Sequence, residues 1–289
     1  MSKYIITTDI NADLPKEYLD KHNIAVVSLF YGVDDVFYDG GLALDEKDFY
    51  SKMRNGAKVT TMACNPDDTE KVFREVLNSG NDILHIAFSS ALSSSYNTVY
   101  VVGQQLSEEY PDRKITVIDS LCASLGQGLF VHKAIQMKEA GKAMDEVAQW
   151  LEENKLNLCH QFTVDDLHHL HRGGRVSKGA AVIGTLINVK PVLHVNDEGK
   201  LVPLLNVRGR KKALQTLVEN MEKRYTGFED KNDTIFISHG DCIEDAEYVA
   251  TLVKEKFGEK EILINYVGPT IGAHSGPGTV ALFFMGSPR

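Results

Sequence analysis

The chain is sparing with residues that would mark several functional classes. It has four cysteines among 289 residues, Cys64, Cys122, Cys159 and Cys242, widely separated and with no C-x-x-C pair. That excludes a disulfide framework and a cysteine zinc site, and suits reduced thiols. Eight prolines and a single tryptophan, with no low-complexity stretch and no solenoid-length repeat, exclude disordered and repeat architectures. Lysine and arginine number 31 against 40 acidic residues, a formal net charge of −9, which speaks against a general nucleic-acid binder. Apolar runs are only strand-sized, as in Val280 to Met285, and the N-terminus reaches Asp9 before a signal-length apolar core forms. A cytoplasmic protein without a transmembrane segment is expected. There is no G-x-S-x-G elbow, no Walker A loop, no kinase motif set and no H-E-x-x-H, so catalysis has little support and no cofactor is expected.

Length and patterning predict two α/β domains, since roughly 150 residues make one domain. Strands at Tyr4–Thr8, Ile24–Phe30, Ile83–Ala87 and Ile115–Ile118 alternate with helices at Asp45–Arg54, Pro66–Asn78 (capped by Asn65), Ser93–Glu109, Leu125–Glu139 and Met144–Asn154. This order predicts a parallel sheet. Asp13, with Pro15 after it, is read as the cap of a short helix, and 31–44 as a small hairpin insertion. The boundary is placed near Leu156, giving domains 1–156 and 157–289. The second half is read as α+β: strands Leu158–Thr163, Val192–Val195, Leu201–Val207, Thr234–Ser238, Ile262–Tyr266 and Thr279–Phe284. Its helices are placed at Asp166–His171, Ser177–Leu186, Lys211–Arg224 and Glu244–Phe257.

What is present is a repeated junction. Strand-like runs end in hydroxyl-rich loops that open helices, at Thr7-Thr8-Asp9, at Ser89-Ser90-Ala91-Leu92-Ser93-Ser94-Ser95-Tyr96 and at Asp119-Ser120-Leu121-Cys122-Ala123-Ser124. A comparable glycine-rich segment runs from Gly268 to Gly278. Backbone N–H groups, a helix dipole and hydroxyls together hold a small anion. Ser93 is thus either an anion ligand or a plain N-cap, and Thr60-Thr61 either a converging hydroxyl loop or an ordinary turn. His274, among glycines and prolines, is a functional candidate or the holder of a structural hydrogen bond. Gly276-Pro277-Gly278-Thr279-Val280-Ala281 matches a dinucleotide fingerprint only formally, because no helix can follow it. Arg172-Gly173-Gly174-Arg175-Val176-Ser177 either contacts an anion or joins two helices. His168, His169 and His171 before it lack a metal-site pattern. Arg208, Arg210, Lys211 and Lys212 are a solvated helix start or a docking patch for an acidic partner. Cys122 is a nucleophile or a small buried residue.

In this order, Thr8-Asp9 with Asp13-Leu14-Pro15, the serine loop 89–96, Val117-Ile118-Asp119-Ser120, Leu170-His171-Arg172-Gly173-Gly174-Arg175-Val176-Ser177, Arg208-Gly209-Arg210-Lys211-Lys212-Ala213 and Gly272-Ala273-His274-Ser275-Gly276-Pro277-Gly278 resemble the DegV family over nearly the whole chain. The resemblance implies a two-domain α/β protein holding one long-chain fatty acid between its domains. In the characterised branch the protein is the binding subunit of a bacterial fatty acid kinase, whose partner phosphorylates the carboxylate to acyl phosphate for phospholipid metabolism. Thr61 and Ser93 would then bind the carboxylate and Arg172 and His274 would support it, with Ser94, Gly272 and Ala273 completing the ligand-binding set. Transient contact with a membrane surface is compatible with this role.

Two departures from the family pattern stand out. Thr61 is followed by Met62-Ala63-Cys64-Asn65 where Ser-Gln-Pro-Ser is frequent, and Ser93 by Ser94-Ser95 where Gly-Thr is usual. The competing class is a free-standing enzyme on an acyl or small anionic substrate, with Ser93 or Cys122 as nucleophile.

Overall fold

The computed structural model describes residues 3–39, 43–177 and 188–289. The helix expected at Ser177–Leu186 lies outside the described residues apart from Ser177, which is not helical.

A four-stranded parallel sheet is built from β1 (Tyr4–Asp9), β2 (Ala25–Val27), β6 (Asp82–Ala87) and β7 (Ile115–Asp119), in the order β2-β1-β6-β7. β1 and β6 are buried almost throughout, as expected for central strands covered on both faces. The connecting helices are α1 (Lys16–Lys21), α2 (Glu46–Arg54), α3 (Pro66–Asn78), α4 (Ser95–Glu109), α5 (Leu125–Glu139) and α6 (Met144–Asn154). Asn65 caps α3 by accepting from Asp67 N at 2.9 Å, and Asp45 caps α2 in the same way.

The run expected as one strand from Ile24 to Phe30 is broken. Its first part is β2, and its end starts β3 (Phe30–Val33), which pairs with β4 (Val36–Tyr38) and β5 (Val59–Met62) in a separate antiparallel sheet, β4-β3-β5. The hairpin of the expected insertion is present, but β5 was not anticipated. Asp13 also departs from expectation. It adopts a left-handed conformation (φ +50°) that closes the 3-10 turn Ile10–Ala12 through its own N–H, and α1 starts after Pro15 without a side-chain cap.

A 3-10 turn at Lys155–Asn157 leads into the second, mixed sheet. It contains β8 (Leu158–Thr163), β9 (Val189–Val195), β10 (Leu201–Arg208), β11 (Thr234–His239), β12 (Glu261–Tyr266) and β13 (Val280–Met285), ordered β10-β9-β8-β13-β11-β12. With it go α7 (Leu167–Arg172), α8 (Arg210–Tyr225), α9 (Ile243–Phe257) and α10 (Pro269–Ser275). The glycine-rich segment Gly268–Gly278, grouped above with the helix-opening loops, is therefore mostly the short helix α10.

α5 packs against strands of both large sheets, among them β1, β6, β8, β11 and β13. Ten of its 15 residues are buried, including Leu125, Leu129, Phe130, Val131 and Ala134, as a helix packed between two sheets requires. Burying each large apolar side chain stabilises by roughly 1.5–3 kcal/mol. Its one buried amide, Gln127, donates to Thr8 Oγ1 (2.9 Å), Asp9 Oδ2 (3.1 Å) and Ile86 O (3.1 Å), tying the helix to the C-terminal ends of β1 and β6. The loops that open from those ends face the second sheet, and a cavity forms there.

Candidate functional site

A cavity of about 170 Å³ is lined by residues from both sides of Leu156. Its walls are largely apolar: Leu29, Phe88, Leu92, Phe162, Val267 and Phe283 are representative. Thr61, Ser93, Ser94 and His274 line it together, although up to 213 residues of sequence separate them.

β5 explains Thr61. Strand alternation turns Thr61 inward while Thr60 and Met62 are exposed, so the hydroxyl reaches the cavity from a strand rather than from a loop. Thr61 Oγ1 lies 2.7 Å from His274 Nε2. The other side of the imidazole rests on Gly173 in the turn after α7, where a Cβ would stand 2.1 Å from His274 Nδ1. Glycine at this position is therefore a requirement of close approach. Burial, with the nearby Arg175 charge adding to it, pushes the His274 pKa down to about 4, so the ring is neutral near pH 7.

Ser93 lines the cavity, and the N-cap position of α4 falls to Ser94 rather than to it. α4 begins at Ser95, and Ser93 Oγ accepts from Ser95 N (3.2 Å) while sharing a hydrogen bond with Ser95 Oγ (2.9 Å). Ser95 Oγ in turn accepts from Cys64 N at 3.2 Å, which fastens the segment after β5 to the serine loop. The Thr61 and Ser93 hydroxyls are thus brought to one rim by a bond that the sequence does not advertise. Met62, 44% exposed, marks where that rim meets solvent.

Three members of the expected set lie elsewhere. Arg172 is exposed, its Nη2 2.8 Å from His169 Nδ1, and it does not line the cavity. The cation of that motif that does is Arg175, beyond the reversal at Gly173 and Gly174 (φ +73°). Its Nε and Nη2 donate to Leu92 O (3.2 and 2.9 Å) and its Nη1 to Gly173 O, so it braces the residue before Ser93. Helix α7 ends at Arg172, and only the turn geometry decides which arginine points inward. Gly272 and Ala273 sit on the far face of α10. A Cβ at Gly272 would meet Tyr50 Oη at 2.5 Å, and Ala273 packs on the cluster of Tyr31, Val33, Phe49 and Tyr50.

The nucleophile expectation for Cys122 fails. The side chain is fully buried, Sγ donates to Ser120 O (3.1 Å), and burial pushes its pKa up to about 11. Ser93 has Ser95, not a histidine, as its side-chain partner. Among the described residues no group of three or more His, Cys, Asp or Glu could hold a metal ion, and no helix is long and apolar enough to cross a membrane. The basic run is also partly committed. Arg210 bonds Asp245 (2.7 Å) and faces Asp165 (3.6 Å), Lys212 pairs with Glu219, and Lys211 lies over the Tyr248 ring, which leaves Arg208 exposed at the end of β10.

A family model described as "Uncharacterised protein, DegV family" matches residues 3–287. The chain belongs to the DegV family. A DegV domain-containing protein of Clostridium perfringens is 45% identical to it over 100% of this chain and 99% of its own length. Among solved structures, the fatty-acid-binding DegV family protein of Thermus thermophilus superposes with a TM-score of 0.87 at 27% identity, covering 98% of this chain and 99% of its own. A stearic-acid-binding protein from Eubacterium ventriosum gives 0.89 at 25% identity, with 98% of both chains covered. Structural neighbours of this DegV chain therefore bind fatty acids, and the expected mixed α/β architecture is that of the family.

Proposed function

We propose that this DegV protein binds one long-chain fatty acid in the cavity, with the carboxylate on Thr61 and Ser93, and presents it to an ATP-dependent partner kinase. The observation that carries the reading is the union of a mostly apolar cavity with two hydroxyls and a neutral imidazole at its rim. An acyl chain gains about 0.8 kcal/mol per methylene buried, and hydroxyl donors satisfy the carboxylate without a metal. With the proton on Nε2, His274 donates to Thr61 Oγ1 and leaves the Thr61 hydroxyl hydrogen free for the ligand. Arg175 keeps a positive charge near the anion while its own donors are spent on backbone carbonyls. In this reading the cavity lies between domains 1–156 and 157–289, each supplying part of the polar rim.

The division of labour follows from what the chain holds. It has no nucleotide-phosphate loop, so ATP belongs to the partner, and a carboxylate oxygen attacks the γ-phosphorus as ADP leaves, giving acyl phosphate. As phosphotransfer proceeds, the His274 Nε2 proton turns from Thr61 Oγ1 to the charge that develops there. Arg208, exposed where Arg210 is not, is the basic-run residue left for docking.

Mass spectrometry of an organic extract, followed by titration of stripped protein with saturated and unsaturated acids, tests the first step. A copurifying or titratable acyl ligand is expected, and its absence in both experiments defeats the reading. With a cognate kinase, His274→Ala should depress acyl-phosphate formation far more than fatty-acid binding. ATP turnover by the isolated protein would count against a non-catalytic role.

A further inference from the structure

The cavity is more polar than an alkyl chain requires. Away from the Thr61 and Ser93 rim its lining includes Asn11, Ser124, Ser238, Thr270 and Ser275, all nine-tenths or more buried. Ser238, on β11, lies 3.0 Å from the Ser124 hydroxyl at the start of α5. Ser124 is held in a strained conformation (φ +55°, ψ −146°) by its bond to the Asp13 carboxyl (2.5 Å). Thr270 Oγ1 donates to Asn11 Oδ1 (2.6 Å), and the Asn11 backbone N–H donates to the Asp9 carboxylate (3.1 Å). These bonds account for most of the wall. They do not account for Asn11 Nδ2, nor for Ser275, 5% exposed, which lines the cavity and whose hydroxyl has no hydrogen-bond partner.

A buried hydroxyl without a partner is a cost to the fold, one that a ligand oxygen removes. Thr270 precedes His274 by one turn of α10, about 6 Å along the helix axis. Thr270 and Asn11 are therefore displaced from the rim, toward the interior that the acyl chain of the proposed ligand would occupy, while Ser275 follows His274 directly. We infer that Ser275 and Ser238, flanked by the Asn11 and Thr270 pair, form a second polar subsite that accepts a hydroxyl carried on the acyl chain, so that hydroxylated long-chain fatty acids are preferred ligands. A hydroxyl suits the wall because it both donates and accepts, whichever way the serine hydroxyls are turned. In a wholly apolar tunnel the same group would be desolvated without compensation, and hydroxy acids would bind worse than the parent acid. The sign of the difference decides the matter.

This inference rests on fatty-acid binding, so the test contains its own control. Delipidated protein is titrated calorimetrically with stearate and with a positional series of hydroxystearates. At least one isomer is expected to bind roughly three- to tenfold tighter than stearate, with the advantage lost in Ser275→Ala and Ser238→Ala. Stearate binding with every hydroxy isomer equal or weaker overturns the subsite while leaving the carrier reading intact. An advantage that survives in both variants overturns the assignment to these residues. No binding of stearate or of any isomer overturns the carrier reading and this inference with it. Because Ser238 also touches Ser124, denaturation curves of both variants accompany the titration, and Ser275→Ala, which breaks no hydrogen bond within the protein, carries the result if Ser238→Ala fails to fold.

Discussion

Gly173→Ala isolates the contact that positions His274. The backbone at Gly173 (φ −73°, ψ −7°) suits alanine, so the substitution adds one methyl group without conformational strain. Replacing glycine at a compatible position stabilises by about 0.4–1 kcal/mol through the unfolded chain. Against that, the new Cβ would stand 2.1 Å from Nδ1, and ordinary contact begins at 3.4 Å, so the ring must give way by about 1.3 Å. Retreat toward Thr61 is blocked, because Nε2 is already 2.7 Å from its hydroxyl. The ring therefore swings aside and loses that hydrogen bond, at a cost of about 0.5–1.5 kcal/mol. The two effects nearly offset, and global stability should change by under about 1 kcal/mol while the site changes locally. NMR titration of His274 reads this directly, its pKa moving up from about 4 toward 6.5 as the ring leaves its buried position. In a His274→Ala background the clash is gone and only the backbone gain should remain. An unshifted His274 titration in Gly173→Ala, or the same stability change in both backgrounds, would refute the argument.

Ser93→Ala and Thr61→Val should each weaken fatty-acid affinity by about 1.5–3 kcal/mol, the worth of a hydrogen bond to a charged group; unchanged titrations in both single variants and the double variant would place the carboxylate elsewhere. Acidification should destabilise the fold, because His85, fully buried with a pKa pushed down to about 3, stays neutral when folded but protonates below 6.5 when unfolded. Its stabilising share is complete above pH 6.5 and is lost as pH falls toward 3, about 2 kcal/mol being gone at pH 5; denaturant midpoints that do not move between pH 7 and 5, or that move equally in His85→Gln, would contradict it. Arg210→Glu, which sets a carboxylate against Asp165 and Asp245, should cost about 1–3 kcal/mol of stability. Arg208→Glu should leave the melting temperature unchanged and weaken only kinase docking, so equal melting losses in the two variants would remove Arg208 as a docking residue.

Local pattern carried most of the elements. Helices Pro66–Asn78, Leu125–Glu139 and Met144–Asn154 begin and end where cap and periodicity place them, because those signals act within a few residues. The misreadings lie where distant partners decide. β5 is a short strand that exists only by pairing with β3, and Asp13 abandons a capping position because Ser124, 111 residues away, offers its carboxyl a buried partner. Gly268–Gly278 is glycine-rich like a loop, yet its middle coils into α10 and packs on α2, α7, β3 and β5.

By itself the sequence determined the alternating α/β order, the hydroxyls at strand ends and the identity of Thr60-Thr61, Ser93 and His274 as candidates, since residue type and short-range spacing suffice for these. Tertiary structure alone decided that Thr61 faces inward while Thr60 does not, that Arg175 rather than Arg172 reaches the cavity, and that Gly272 and Ala273 turn away from it. Each of these depends on the direction a side chain takes after a turn or along a paired strand, and that direction is set by what packs against it from far along the chain.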